Sequence, residues 1–364
     1  MWLMNTWYVA GFESELSQDF VARKLLGQSL LIYRAASGEI SALEDACPHR
    51  FLPLSKGKRV GDQMQCGYHG MRFSVEGRCV EVPGQAQIPA QARLRRYPAE
   101  VRHGFIWVWM GQPPLADAAL IPDLHWHTDP AWAIAPGYHH FEADYRLVND
   151  NLLDLSHESY VHTRTIGNEE EESIANYPAQ VSVEGQCLVR AHRDMHNIAP
   201  PPFFAMILQS DGPIHRWQTA VNLLPGINMT DAAVYPVNKT PAQAHINHVL
   251  HLLTPETATS THYFWSLVRN YRTQDPALTA TIQAALRATF DEDKAVVEEQ
   301  QRHIASRGGV VPGVAIRLDE AAMRARRLLD LAIRQEQDQP GHCITPAALL
   351  SPQTDPALRT TAAA

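Results

Sequence analysis

Residues 150–162 read DNLLDLSHESYVH, and the assignment of the fold turns on whether this stretch is an ordinary buried helix or part of a metal site. As a helix it places Asp150, Asp154 and His157 at steps of four and three, along one face. Leu147, Val148, Leu152, Leu153 and Leu155 surround that polar stripe, which implies an interior position. A buried carboxylate or imidazole is costly unless it is paired or holds a metal. His162 lies five residues beyond His157, about 140° round a regular helix. The two share a ligand only if the helix ends or bulges between them. Two histidines need one carboxylate to complete the facial triad that binds non-haem Fe(II). The alternative is a helix whose histidines merely satisfy hydrogen bonds, and this stretch alone leaves both readings open.

A second strong helix is expected over 275–302. Its apolar stripe runs Leu286, Phe290, Val297 and Ile304, and Asp293 falls three after Phe290 and four before Val297, so it faces inward with them. Asp291 and Glu292 are expected to point elsewhere. An inward carboxylate is the missing third ligand, which singles out Asp293 from the acidic run.

Residues 1–112 read as short β segments, at 29–34, 39–43, 71–75, 79–82 and 105–110, broken by turns such as Ser37-Gly38 and Glu76-Gly77. Within them lies Cys47-x-His49, sixteen intervening residues, then Cys66-x2-His69. A structural zinc finger normally pairs its cysteines together and its histidines together. Mixed halves fit a Rieske [2Fe–2S] centre, in which two Cys hold one iron and two His the other. Gly67 and Gly70 flank the second half, as expected where backbone approaches sulfur closely, and Tyr68 is expected to donate a hydrogen bond to a thiolate. Cys79 lies outside the motif.

Together, the Cys/His motif and the later Asp-x2-His-x4-His identify the chain as similar to the Rieske non-haem iron oxygenases. The likeness is greatest to the vanillate O-demethylase and aryl-methyl-ether monooxygenase group. It is carried further by NTWYVAG (5–11), EVPGQ (81–85), GFIWVWMG (104–111), APPPF (199–203), LTPET (253–257), FDEDK (290–294) and EEQQ (298–301). The resemblance implies an α+β chain with an all-β Rieske domain over 1–112 and a crossover over 113–143. A helix-grip, START-like catalytic domain follows over 144–335, its antiparallel sheet around a long helix, and then a disordered tail over 336–364. It implies a Rieske cluster on Cys47, His49, Cys66 and His69, and Fe(II) on His157, His162 and Asp293. The implied reaction is O-demethylation of a small aromatic methyl ether, such as a vanillate-like methoxybenzoate, to a phenol and formaldehyde. It uses O2 and electrons from NAD(P)H through a separate ferredoxin or flavin reductase; hydroxylation of an aryl methyl group or N-demethylation is the alternative. The family packs head to tail as a homotrimer, and Asp154 matches its bridging carboxylate. Asp150 is a further group behind the histidines. His251 and Asn228 match substrate contacts, and Arg190, Arg193 and Arg216 are unranked candidates for a substrate carboxylate.

The rest of the chain narrows the function classes. The formal net charge is −8, with 45% hydrophobic and 19% charged residues, and no Lys/Arg run marks a nucleic-acid or membrane partner. The start, MWLMNTWYVAGF, lacks a basic n-region, and no apolar run is long enough to span a membrane. Five unevenly spaced cysteines make no disulfide framework, so a reducing cytoplasm is the expected setting. No G-x-G-x-x-G follows a strand, which argues against a nucleotide-binding domain of its own. His125, His127, His139 and His140 are assigned to hydrogen bonding or the surface, the loop 197–204 to a pocket wall or a surface loop, and Glu169–Glu172 to a solvated loop.

Overall fold

A computed structural model of the chain describes residues 1–162, 166, 174–310 and 313–350. Its first part is all β: β1 (Trp7–Phe12), β2 (Val21–Leu25), β3 (Gln28–Arg34), β4 (Ile40–Glu44), β5 (Lys58–Val60), β6 (Gln63–Gln65), β7 (Arg72–Phe73), β8 (Cys79–Glu81), β9 (Arg96–Tyr97), β10 (Ala99–Arg102) and β11 (Phe105–Trp109). These make three small antiparallel sheets, ordered β1-β11-β10, β2-β3-β4-β9 and β5-β6-β7-β8. Strand alternation divides β3 between two cores. Leu30 and Ile32 pack with Tyr8 and Val108, while Leu31 and Tyr33 pack with Met64, Phe73, Cys47 and Cys66. The second core is what holds the two cysteines in place.

The second part is one seven-stranded antiparallel sheet of β12 (Ala133–Phe141), β13 (Gln180–Glu184), β14 (Leu188–Ile198), β15 (Ile214–Leu223), β16 (Ile227–Pro236), β17 (His245–Thr257) and β18 (Ser260–Arg269). The order is β12-β18-β17-β16-β15-β14-β13. Both faces are covered. On β18, Tyr263, Trp265 and Leu267 enter a core with α1 (Tyr145–Leu153) and the long α4 (Pro276–Ser306). Phe264 and Val268 enter another core with Trp7, Phe105, Trp107 and Trp109 of the first part. The two domains are also joined by hydrogen bonds from Leu26 N to Pro255 O (2.8 Å), Gly27 N to Glu256 O (2.8 Å) and Thr254 Oγ1 to Val9 O (2.6 Å). Helix α4 starts behind Asp275, whose side chain accepts from Leu278 N at 2.9 Å. It buries Leu286, Phe290, Asp293, Val297 and Ile304, the stripe expected of it. Among the described residues no helix is long and apolar enough to cross a membrane.

Two expectations need correction. The crossover is shorter than 113–143, because β12 pairs with β18 from Ala133↔Arg269 to Phe141↔Thr261 and so belongs to the seven-stranded sheet. Within the same sheet, β13 and β14 form a hairpin turned at Gly185 in a left-handed conformation (φ 57°). Disorder from residue 336 fails as far as Leu350. Helix α5 (Glu320–Asp338) runs past that point, and the following segment is strapped down by Asn5 Nδ2 donating to Pro340 O (2.8 Å) and His342 O (3.1 Å). Ile344, Ala347 and Leu349 give this segment enough apolar surface to pack, with Leu349 only 3% exposed. Residues 351–364 and the run Glu169–Glu172 lie outside the described residues.

Burial of Leu349 predicts that Leu349→Ala destabilises the fold by about 2–5 kcal/mol, lowering the midpoint of denaturant unfolding. A variant that unfolds with the wild type would show that this segment does not pack.

Candidate metal centres

Helix α1 stops at Leu153. Asp154 takes φ −105° and ψ 88°, a short 3-10 turn covers Leu155–His157, and a single helical turn, α2 (Glu158–Val161), ends at His162. The break is stabilised locally: the Asp154 carboxylate accepts from Ser156 N (2.9 Å) and Ser156 Oγ (2.5 Å). The Asp154 carbonyl accepts from His157 Nδ1 at 2.5 Å. A neutral imidazole that donates from Nδ1 presents a bare lone pair at Nε2. His162 is oriented in the same sense, its Nδ1 lying 2.8 Å from Glu292 Oε2.

The two Nε2 atoms face each other at 3.2 Å, and Asp293 Oδ1 lies 3.3 Å from His157 Nε2 and 3.1 Å from His162 Nε2. Two lone pairs and a buried carboxylate oxygen at such distances repel unless a cation sits among them, and two His with one carboxylate is the ligand set of a non-haem Fe(II). The electrostatics agree. Burial works against charging His162, yet Asp293 and Glu292 raise it to about 9. Burial alone would raise the Asp293 carboxyl, but His157 and His162 hold it well below the usual carboxylate range.

Several expectations about the surroundings change. Glu292 does not point away: adjacent helical residues are about 100° apart, which lets it reach the back of His162 while Asp293 meets the front. Asp291 instead reaches His139 Nε2 (3.1 Å). Asp150 does not support the histidines. It is clasped by Arg326 of α5 at 2.5–2.9 Å, since the helix break turns its face away from them. Asn151, which sequence reasoning passed over, donates to Asp293 Oδ1 at 3.1 Å. His125 and His127 satisfy hydrogen bonds, to Asp123 and to the His103 carbonyl.

The second constellation sits on two loops, each closed on itself by paired backbone bonds, Cys47 N to Leu52 O with Phe51 N to Cys47 O, and Cys66 N to Met71 O with Gly70 N to Cys66 O. Cys47 and Cys66 are both 2% exposed, whereas the rings of His49 and His69 are exposed, with their Nδ1 atoms 3.2 Å apart. Burial and the neighbouring Cys66 push the Cys47 thiol up to about 11, so two thiolates here require a bound cation. That donor set fits a cluster with a buried sulfur side and an exposed imidazole side. Gly70 is needed for its left-handed φ of 74°, and a Cβ at Gly67 would meet Lys56 O at 2.7 Å. Gly67 thus lets two backbones approach each other, not a sulfur. Tyr68 is 54% exposed and stacks on His69 at 3.9 Å, so it covers an imidazole and is not the expected thiolate donor. The Cys79 thiol turns to Glu81 O (3.4 Å), apart from the motif.

A mostly apolar cavity adjoins His157, His162 and Asp293, walled by Leu155, Phe203, Phe204, Leu286 and Phe290. Pro202–Leu208 forms a short helix, α3, so the Pro-rich segment is indeed part of a pocket wall. His251 also lines the cavity, held by Tyr263 OH at 2.5 Å and lowered by burial to about 3, hence neutral. Asn228 does not line it. It is locked in a buried cluster with Asn149 and Asn222 (2.7 and 2.8 Å), because its alternation along β16 turns it toward α1.

The sequence matches two family models, a Rieske [2Fe-2S] domain over residues 6–98 and a vanillate O-demethylase oxygenase C-terminal domain over 141–335. The chain belongs to the Rieske non-haem iron oxygenases. It is 36% identical over 351 residues to a vanillate O-demethylase oxygenase subunit of a Pseudomonas species, covering 93% of this chain and 97% of that one. It is 33% identical over 348 residues to the iron-sulfur subunit of a toluene-4-sulfonate monooxygenase system of Comamonas testosteroni, covering 92% and 98%. Its fold superposes on dicamba monooxygenase bound to 3,6-dichlorosalicylic acid with a TM-score of 0.86 at 32% identity, covering 93% of this chain and 99% of that one. A Rieske oxygenase carries a [2Fe–2S] cluster and a mononuclear non-haem iron, and both constellations above have donors of the right kind for them.

The hydrogen bond from His162 to Glu292 predicts that Glu292→Ala weakens iron binding at the mononuclear centre by about 10–100-fold. Metal analysis at graded chelator concentration measures this, and an unchanged iron content would remove Glu292 from the support of the site.

Proposed function

We propose that this chain is the terminal oxygenase of a multicomponent O-demethylase that converts a small aromatic methyl ether, of the vanillate-like methoxybenzoate type, to a phenol and formaldehyde. In this reading Cys47, Cys66, His49 and His69 hold the cluster, and His157, His162 and Asp293 hold the iron. A separate ferredoxin or flavin reductase passes on electrons from NAD(P)H, and the protein works in the cytoplasm. The observation that carries the reading is the two-histidine, one-carboxylate set opening on a cavity lined by aromatic and aliphatic side chains.

When bound, the cluster supplies stored electrons and the iron activates O2. One oxygen atom enters a methyl C–H bond and the other leaves as water with two electrons and two protons. The resulting hemiacetal collapses to phenol and formaldehyde. The chain's own residues hold the ring and keep out water. Phe203, Phe204, Leu286 and Phe290 enclose it, and His251, pinned between Tyr263 and Thr230, offers a neutral polar edge.

The same reading includes a head-to-tail homotrimer, in which a neighbour's cluster meets each iron. It is supported by the exposed His49 and His69 rings and by the half-buried Asp154 carboxylate, which lines a cleft with Tyr177 and Arg317. Asp154 is then the bridging carboxylate of the junction.

Anaerobic reduction followed by a single exposure to O2 and vanillate should release about one formaldehyde per two stored electrons. His157→Ala should retain the cluster's visible spectrum and release none. Cluster reoxidation without product from any methoxybenzoate would overturn the substrate class and favour methyl-aryl or N-methyl compounds. Turnover in His157→Ala would overturn the iron assignment.

A further inference from the structure

Of the three arginines singled out from the sequence, Arg190 is taken up by Glu184 and the carbonyls of Ala348 and Leu349, and Arg193 donates to Ile174 O (3.1 Å). Arg216 lines the cavity, the only Arg or Lys among its described walls. It is 3% exposed, and its guanidinium carbon lies 4.6 Å from the centre of the Phe204 ring. Nη2 reaches Glu158 Oε2 at 3.2 Å, and Gln218 Nε2 donates to the other oxygen of that carboxylate. Glu158 also faces Arg193, so its charge is shared between two guanidinium groups. Both Glu158 oxygens are thus engaged, yet Arg216 Nε and Nη1 are buried with no acceptor among the described residues.

Buried donors without acceptors are costly and rare. In a mostly apolar cavity where Arg216 is the only Arg or Lys among the described walls, a cation with unsatisfied N–H groups wants an oxyanion, since guanidinium–carboxylate bonds are strong and directional. Glu158 and Gln218 restrain the side chain without exhausting its donors. We infer that Arg216 is the anion receptor of this cavity and makes the enzyme selective for aromatic substrates that carry an oxyanion, such as a carboxylate, on the ring. The inference rests on the aryl-ether reading only for the rest of the substrate. Arg216 is here a specificity determinant, acting on the ring substituent and not on the reacting methyl group.

The test is calorimetric titration of the metal-loaded, full-length protein with 4-hydroxy-3-methoxybenzoate and with the matching benzamide, which is similar in shape but neutral. Arg216→Gln alone strands Glu158, so the Glu158→Gln/Arg216→Gln double variant, which replaces the ion pair by two amides, carries the comparison. The wild type should bind the acid about 30-fold or more tighter than the amide, and the double variant should reduce that ratio to within about threefold while keeping its iron and its far-UV spectrum. Arg216→Lys, which keeps the charge without the planar fork, should fall between. No binding of the acid, equal affinity for acid and amide in the wild type, or a ratio that survives in the double variant would overturn the inference. Formaldehyde release is read separately: tight acid binding without formaldehyde refutes the O-demethylase reading and leaves the receptor standing.

Discussion

The short contact between His157 Nδ1 and the carbonyl of Asp154 is the interaction on which the site depends. It exists only because the helix fails at Asp154, freeing a carbonyl that a continuing helix would consume. That one bond fixes the tautomer of His157, and Glu292 does the same for His162. Both Nε2 lone pairs are thereby aimed at a point that Asp293 already faces. The protein gathers two imidazoles and a carboxylate in one buried place, and a bound cation satisfies all three at once.

The sheet converts this local device into an oxygenase. One face supports α1 and α4 and so sets the distance between the two histidines and Asp293; the other receives the Rieske domain through a wall of tryptophans. On β12, Gly137 lies where any Cβ would meet the Trp265 indole at 2.0 Å. Trp265 in turn donates to His139 (2.8 Å) and packs edge-on against Phe290 of α4 (5.2 Å). A glycine on the sheet edge thus lets an aromatic column reach the helix that carries Asp293.

Much of this was legible in the residues. Leu286, Phe290, Val297 and Ile304 share a face with Asp293 by periodicity alone, and the spacing of Cys47, His49, Cys66 and His69 needs no tertiary information. What could not be read was direction. Asp150 and Asp154 lie on one face of an ideal helix, but the break at Asp154 sends one to Arg326 and the other to Ser156. On β16 the polar Asn228 and Asp231 are buried, and only the fold supplies their partners: Asn228 pairs with Asn149 and Asn222, and Asp231 with Trp217 and His248. Arg216 could be ranked above Arg190 and Arg193 only once the cavity and the last described residues were in place.

The two metal centres are tested most directly by a crystal of the iron-loaded protein with anomalous diffraction collected on both sides of the iron absorption edge. Two iron loci per chain are expected. One lies between the loops bearing Cys47–His49 and Cys66–His69. The other is bonded to His157 Nε2, His162 Nε2 and an oxygen of Asp293, with Nδ1 of each histidine still engaged by Asp154 O and Glu292. A mononuclear peak elsewhere, or ligation through Nδ1 with the Asp154 helix break closed, would contradict this assignment.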